Sequence, residues 1–375
     1  MVKKVNISQV DTLFANGSYP IEFLFYYKEG LDAKKIRNAL KKLSTVFWPM
    51  FGEYKDGLIT FEKVVEDEYY VEEVVPQEFI IPSTEKEKWD AYSQYSLPDT
   101  NKLFLLKVTQ FKNGTTLVPK MYHLAGDGYS YFYFLSSLAV LAQQTLLPSK
   151  SSLMQLFFKP HHHRTILKDF SFEGVEWNSH QQDTQFTMGI DEVLRKDVNL
   201  LIRKISETKN FRISTNDILS AMAIKTLVRA QKELGNEYVE LTIPIDVRRE
   251  IKEYGRRFFG NGIMLHKMKL KKGDIENLPP EEVAVQIRKS MPSVSKSSYL
   301  EYLLQLKGLI SMGKTEKFRP FDPSSGYLVT NISRLPVNKL NFGNGPPNLI
   351  FPFTIEKNAA AVLAKDENFI LRFAY

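Results

Sequence analysis

The sequence predicts an α+β protein in two domains, and three observations carry that reading. At 375 residues the chain is long for a single hydrophobic core. Both halves mix strand-like and helix-like runs, the pattern of helices packed on mixed sheets. Between Leu147 and Asp183 the periodicity lapses, amid Pro148, Pro160 and a serine cluster at 149–152. These observations divide the chain into a first domain over 1–150, a crossover over 151–183 and a second domain over 184–375.

In the first domain, Ile21 to Tyr27 reads as a strand. Leu31, Ile36, Leu40, Leu43 and Phe47 then recur at helical spacing, which predicts an amphipathic helix ending before Pro49. Strand-like runs follow at 57–65 and 68–75. The segment 76–102, punctuated by Pro76, Pro82 and Pro98, reads as loop and short helix. Residues 103–122 alternate around the turn dipeptide Asn113-Gly114, a β-hairpin signature. From Tyr131 to Gln143 an aromatic and apolar run predicts a buried helix.

The second domain opens with a strand expected at 184–189 and a helix capped by Asp191 and running through Glu207. Ser214-Thr215-Asn216-Asp217 stands before the apolar-periodic run from Ile218 to Leu227, a capping signal for a long helix. Strands are expected at 239–246 and 262–270, helices at 280–293 and 299–312. Four further strands are expected at Tyr327–Ile332, Leu349–Phe353, Ala359–Ala364 and Phe369–Tyr375. No solenoid-period repeat is visible.

Composition narrows the chemistry. There is no cysteine, which excludes disulfides, thiol nucleophiles and thiolate zinc sites. The net charge of +7 is spread along the chain and interleaved with acidic residues, so no nucleic-acid partner is implied. His161-His162-His163 lacks a flanking carboxylate cluster, and three adjacent imidazoles cannot all face one ion, so no metal site is expected. The start, Met1 to Asn6, has a basic pair without an apolar run behind it, which predicts no secretory leader and a cytoplasmic location. The apolar window at 131–142 is too short to span a bilayer.

The stretch that organises the chain is Tyr122-His123-Leu124-Ala125-Gly126-Asp127-Gly128. It places His123 where a hairpin strand ends and a turn begins, a position that displays reactive groups on a rigid scaffold. A lone histidine can equally be a satisfied structural residue, so the rest of the chain must decide.

Taken together, stretches across nearly the whole chain resemble the BAHD acyltransferases of plants and fungi, which move acyl groups from coenzyme A thioesters to alcohols or amines. His123-x-x-x-Asp127-Gly128 is similar to that family's catalytic signature. Asn341-Phe342-Gly343-Asn344-Gly345 stands where the family has Asp-Phe-Gly-Trp-Gly, and Val329 to Pro336 runs collinear with the strand before it. Ser214-Thr215-Asn216-Asp217 resembles the family's Ser-Thr-x-Asp helix start. Asp246-Val247-Arg248-Arg249, with Phe259-Gly260-Asn261 beyond it, resembles another landmark. Ser8 to Asp11 and Phe47 to Gly52 match the opening strand and first helix end. Three departures stand out: Asn341 for Asp, Asn344 for Trp, and Ile332 where some plant members carry Trp.

The resemblance implies two chloramphenicol-acetyltransferase-like domains, with mixed β-sheets flanked by helices and a substrate tunnel at their interface. It implies His123 as general base, a task suited to an imidazole of ordinary pKa near 6.5, and Thr330 as a donor to the oxyanion. The residues alone allow Asp127 to form a dyad with His123; the resemblance instead pairs it with an arginine, for which Arg248 is the candidate. The Asn341 motif, with Gly343 and Gly345, is implied to be a structural turn. Ser214 and Thr215 at a helix start, with Arg212 and Lys209 nearby, are expected contacts for coenzyme A. The implied co-substrate is acyl-coenzyme A, with no permanently bound cofactor, and the implied partner is a small-molecule alcohol or amine met by a monomer. Two rivals share these residues. One is a non-catalytic relative, suggested by the altered Asn341 motif; the other is a condensation-type enzyme using a carrier-bound thioester.

Overall fold

A computed structural model describes the chain apart from residues 1, 16–19, 64–65, 85–86, 88–89, 92–93, 99, 144–158, 165, 168–186, 232–236, 313–318 and 354–355. The first half contributes β1 (Lys3–Asn6), β2 (Pro20–Tyr27), α1 (Ala33–Ser44), β3 (Glu53–Lys55), β4 (Leu58–Phe61), α2 (Glu66–Tyr69), β5 (Tyr70–Val74), β6 (Phe104–Phe111), β7 (Gly114–Tyr122) and α3 (Gly128–Gln143). The second contributes β8 (Met188–Leu194), α4 (Arg195–Lys209), α5 (Thr215–Ala230), β9 (Tyr238–Asp246), β10 (Ile263–Lys271), α6 (Lys272–Asn277), α7 (Pro280–Ser290), α8 (Lys296–Ser311), β11 (Gly326–Asn331), β12 (Leu349–Pro352), β13 (Ala359–Lys365) and β14 (Asn368–Ala374).

Three sheets result: β1-β4-β3, a five-stranded sheet β12-β2-β7-β6-β5, and a six-stranded sheet β10-β9-β11-β13-β14-β8. Both larger sheets mix parallel and antiparallel pairs, as an α+β fold of helices on mixed sheets requires. The expected hairpin is present, with β6 and β7 closing at Phe111 opposite Gly114. Strand β12 crosses the division drawn at 151–183. It pairs antiparallel with β2, Leu349 opposite Tyr26, so the second half supplies an edge strand to the first half's sheet.

Core packing follows the same route. One apolar cluster joins α1, α3, β2, β6 and β7 to Val247, Phe259, Tyr299, Leu303 and Phe342 from the second half. A second cluster packs α5 and α7 on one face of the six-stranded sheet. Helix α3 is apolar all round, so it is enclosed rather than laid on a surface.

One sequence expectation is corrected. Asp191 caps no helix: β8 continues through Leu194, pairing Asp191 with Leu371 of β14, and α4 begins only at Arg195 with no side-chain cap. Strand β3 and the 3₁₀ turn at Asp11–Phe14 were not anticipated, because three or four residues carry too little periodicity. Among the described residues no helix is long and apolar enough to cross a membrane.

Candidate functional site

The turn between β7 and α3 is held by ionic and backbone bonds rather than by its own sequence. Asp127 receives a two-pronged contact from Arg248, Nη1 to Oδ2 at 2.8 Å and Nη2 to Oδ1 at 2.9 Å. The Ser130 and Gly262 amides donate to the same carboxylate at 3.0 and 2.9 Å. Burial opposes the charge, yet the guanidinium outweighs it and holds the Asp127 carboxyl below the usual carboxylate range. Arg248 also reaches the Gly260 carbonyl at 3.0 Å and Asp246 at 3.2 Å. This close approach needs Gly262, where a Cβ would lie 2.7 Å from the guanidinium. Asp127 thus faces Arg248, and its oxygens serve the turn.

His123 is held by a different group. Its Nδ1 lies 3.3 Å from Asn261 Oδ1. The Asn261 amide is oriented by its other end, where Nδ2 donates to the His123 carbonyl and to Asp11 Oδ1, both at 2.7 Å. Oδ1 is therefore left to accept, Nδ1 carries the hydrogen, and Nε2 keeps a lone pair. The Phe14 ring stacks on the imidazole at 4.3 Å and 14°. Burial pushes the His123 pKa down from 6.5, against the opposing pull of Asp127, the Asn261 bond and Asp11. The product is a neutral imidazole in a fixed tautomer.

It borders a cavity of about 760 Å³ walled by both large sheets. Phe23, Phe132 and Leu265 supply apolar wall, while Thr330 and Ile332 face it from the end of β11. The row Thr330–Ala361–Arg372 crosses three strands of the six-stranded sheet on this side. A basic nitrogen and a hydroxyl on one cavity wall can together take a proton and meet a developing negative oxygen.

The other expected residues lie around this cavity without lining it. Ser214 caps α5 in a capping box with Asp217, and its hydroxyl also accepts from Arg288 at 2.8 Å. Thr215 opens α5, and Arg212 is exposed just before it. The α5 start is tied to the cavity wall, since Asn331 Nδ2 donates to Asn216 Oδ1 at 2.8 Å. Lys209 pairs with Glu282.

The Asn341 turn is packed on the first half of the chain. Asn341 Oδ1 accepts from the Gly343 and Gly345 amides at 2.7 and 3.1 Å, an acceptor role that needs no charge. Gly343 sits at φ 123°, a conformation that disfavours other residues. Asn344 donates to the Gly30 carbonyl at 3.1 Å. The histidine run diverges: His161 Nε2 meets the Tyr254 carbonyl and His162 Nε2 the Val46 carbonyl.

Three residues of this assembly had no role in the sequence reading. Asn261 lay in a noted run without an assignment, and Asp11 in another. Arg164, in the crossover, carried no signal at all. Its side chain is fully buried, with Nη1 3.3 Å from Asp11 Oδ2 and 2.9 Å from the Leu124 carbonyl, and Nη2 2.5 Å from the Ala125 carbonyl.

Residues 64–368 match the model of the family described as Transferase family. The chain is 22% identical over 266 residues to anthranilate N-benzoyltransferase protein 1 of Dianthus caryophyllus, a match spanning 65% of this chain and 58% of that relative. Among solved structures, F. graminearum TRI101 in complex with coenzyme A and deoxynivalenol superposes with a TM-score of 0.72 at 15% identity, covering 99% of this chain and 95% of that one. Vinorine synthase superposes with a TM-score of 0.69 at 16% identity, covering 100% and 94%. At such identities the superpositions speak for the fold alone.

Proposed function

Because the chain belongs to the Transferase family of BAHD acyltransferases, we propose that it transfers an acyl group from an acyl-coenzyme A thioester to the hydroxyl or amine of a small molecule, with His123 as general base. The observation that carries this reading is the neutral His123 imidazole at the cavity wall, its Nδ1 engaged by Asn261 and its Nε2 available. In the proposed reaction Nε2 takes the acceptor's proton as its oxygen or nitrogen bonds to the thioester carbon. The Thr330 hydroxyl donates to the oxyanion, and the C–S bond then breaks as the proton passes from His123 to the leaving sulfur. General-base help of this kind is worth about 10²–10⁴ in rate.

Asp127 serves this reaction by shaping the turn with Arg248. The donor is proposed to lie along the end of β11, with its phosphates toward Arg212 and the start of α5. The Ser214 hydroxyl already serves the cap and Arg288, which leaves Thr215 and Arg212 as the groups for the ligand. The protein is proposed to act as a cytoplasmic monomer. The Asn341 departure does not favour a non-catalytic relative, because the amide accepts both turn bonds without a charge.

Mass spectrometry of products from one acyl-coenzyme A and pooled alcohols and amines tests the reading. Acceptor masses raised by the acyl group are expected. No product from any pair, together with no thermal stabilisation by coenzyme A, would favour an interaction protein instead.

A further inference from the structure

Behind His123 runs a chain of groups that ends in a carboxylate other than Asp127. His123 Nδ1 faces Asn261 Oδ1, Asn261 Nδ2 donates to Asp11 Oδ1 at 2.7 Å, and Asp11 Oδ2 lies 3.3 Å from Arg164 Nη1. Asp11 and Arg164 are both fully buried. Asp11 is fixed further by the Ser8 amide at 2.7 Å, and Arg164 by the Leu124 and Ala125 carbonyls of the histidine turn. An amide side chain is symmetric enough to be turned over, which would aim an N–H at His123 Nδ1 and force the proton to Nε2. The Asp11 carboxylate accepts only, and together with the His123 carbonyl, also 2.7 Å away, it keeps Nδ2 on that side.

We propose that Asp11, secured by Arg164, is the positioning carboxylate of His123: it fixes the Asn261 amide and through it the Nδ1–H tautomer that leaves Nε2 basic. Asp127 is spent on Arg248 and two amides, so this role falls to a residue 112 positions earlier in the chain. The catalytic consequence rests on the reading of His123 as a base; the tautomer does not.

Nitrogen-15 NMR of the histidine-labelled protein reads the tautomer without any turnover. The chain has six histidines, and the spectrum of His123→Ala identifies the signal. The wild type should show a single Nδ1–H form; an Nε2–H signal there overturns the proposal and needs no variant. Asp11→Asn, which can present either end of its amide to Asn261, should lose the single form, whereas Asp127→Asn and the charge-preserving Asp11→Glu should keep it. A pure Nδ1–H signal in folded Asp11→Asn would overturn the proposal. If acyl transfer is measurable, kcat of Asp11→Asn should fall at least about tenfold, within the 10²–10⁴ ascribed to a general base, with KM little changed. A transferase assay that stays silent bears on the function and leaves the tautomer result to stand or fall by itself.

Discussion

Replacing Arg248 with methionine should expose how strongly the histidine turn depends on one ion pair. The Arg248 and Asp127 side chains are only 3% and 4% exposed, so removing the guanidinium strands a carboxylate away from water. Breaking a buried pair by deleting one partner costs about 3–5 kcal/mol, a large part of the roughly 5–15 kcal/mol that holds an ordinary domain together. The pH dependence should change as well. In the wild type Asp127 sits below the usual carboxylate range, so its contribution is present above about pH 4 and is lost as the pH falls further. In Arg248→Met only the Ser130 and Gly262 amides still oppose burial, which then raises that carboxyl, so the variant should recover stability from pH 7 toward pH 4 and close on the wild type. Urea unfolding at several pH values measures both effects. A loss under about 1 kcal/mol at pH 7, or a gap constant with pH, would refute the reasoning.

Three further outcomes are expected. Burial depresses His123, so the acid limb of kcat/KM should fall below pH 6.5; a limb above that value would contradict a buried neutral base. Burial holds His162 down to about 3, so its contribution to stability is full above about pH 6.5 and drains as the pH falls toward 3; His162→Phe should flatten that part of an unfolding profile. Asn341→Ala leaves the Gly343 and Gly345 amides without their acceptor and should cost about 1–2 kcal/mol in thermal or urea unfolding while sparing turnover.

Local chemistry made much of the fold legible. Asn113-Gly114 marks its own hairpin, and Ser214 with Asp217 marks the start of α5, because both signals act within four residues. Asp191 misled for the same reason. An acidic residue ahead of a helical pattern looks like a cap, and only pairing with β14, whose partner residue is 180 positions away, extends the strand past it. His123 and the Asp127–Arg248 pair were legible through a resemblance in spacing and order. Asn261 meets His123 across 138 positions and Asp11 across 250, and Arg164 meets Asp11 across 153; no local pattern encodes such a meeting. The joining of β12 to β2 is equally non-local: an edge pairing over more than 300 positions leaves no periodic trace.

Release of free thiol from acyl-coenzyme A donors, with His123→Ala beside the wild type, tests the central claim most directly. The chain contains no cysteine, so a thiol reagent sees only coenzyme A. Acceptor-dependent release by the wild type, reduced about 10²–10⁴-fold in a His123→Ala protein that folds normally, is the predicted result. Equal release by the two proteins would contradict the assignment of His123 as the base.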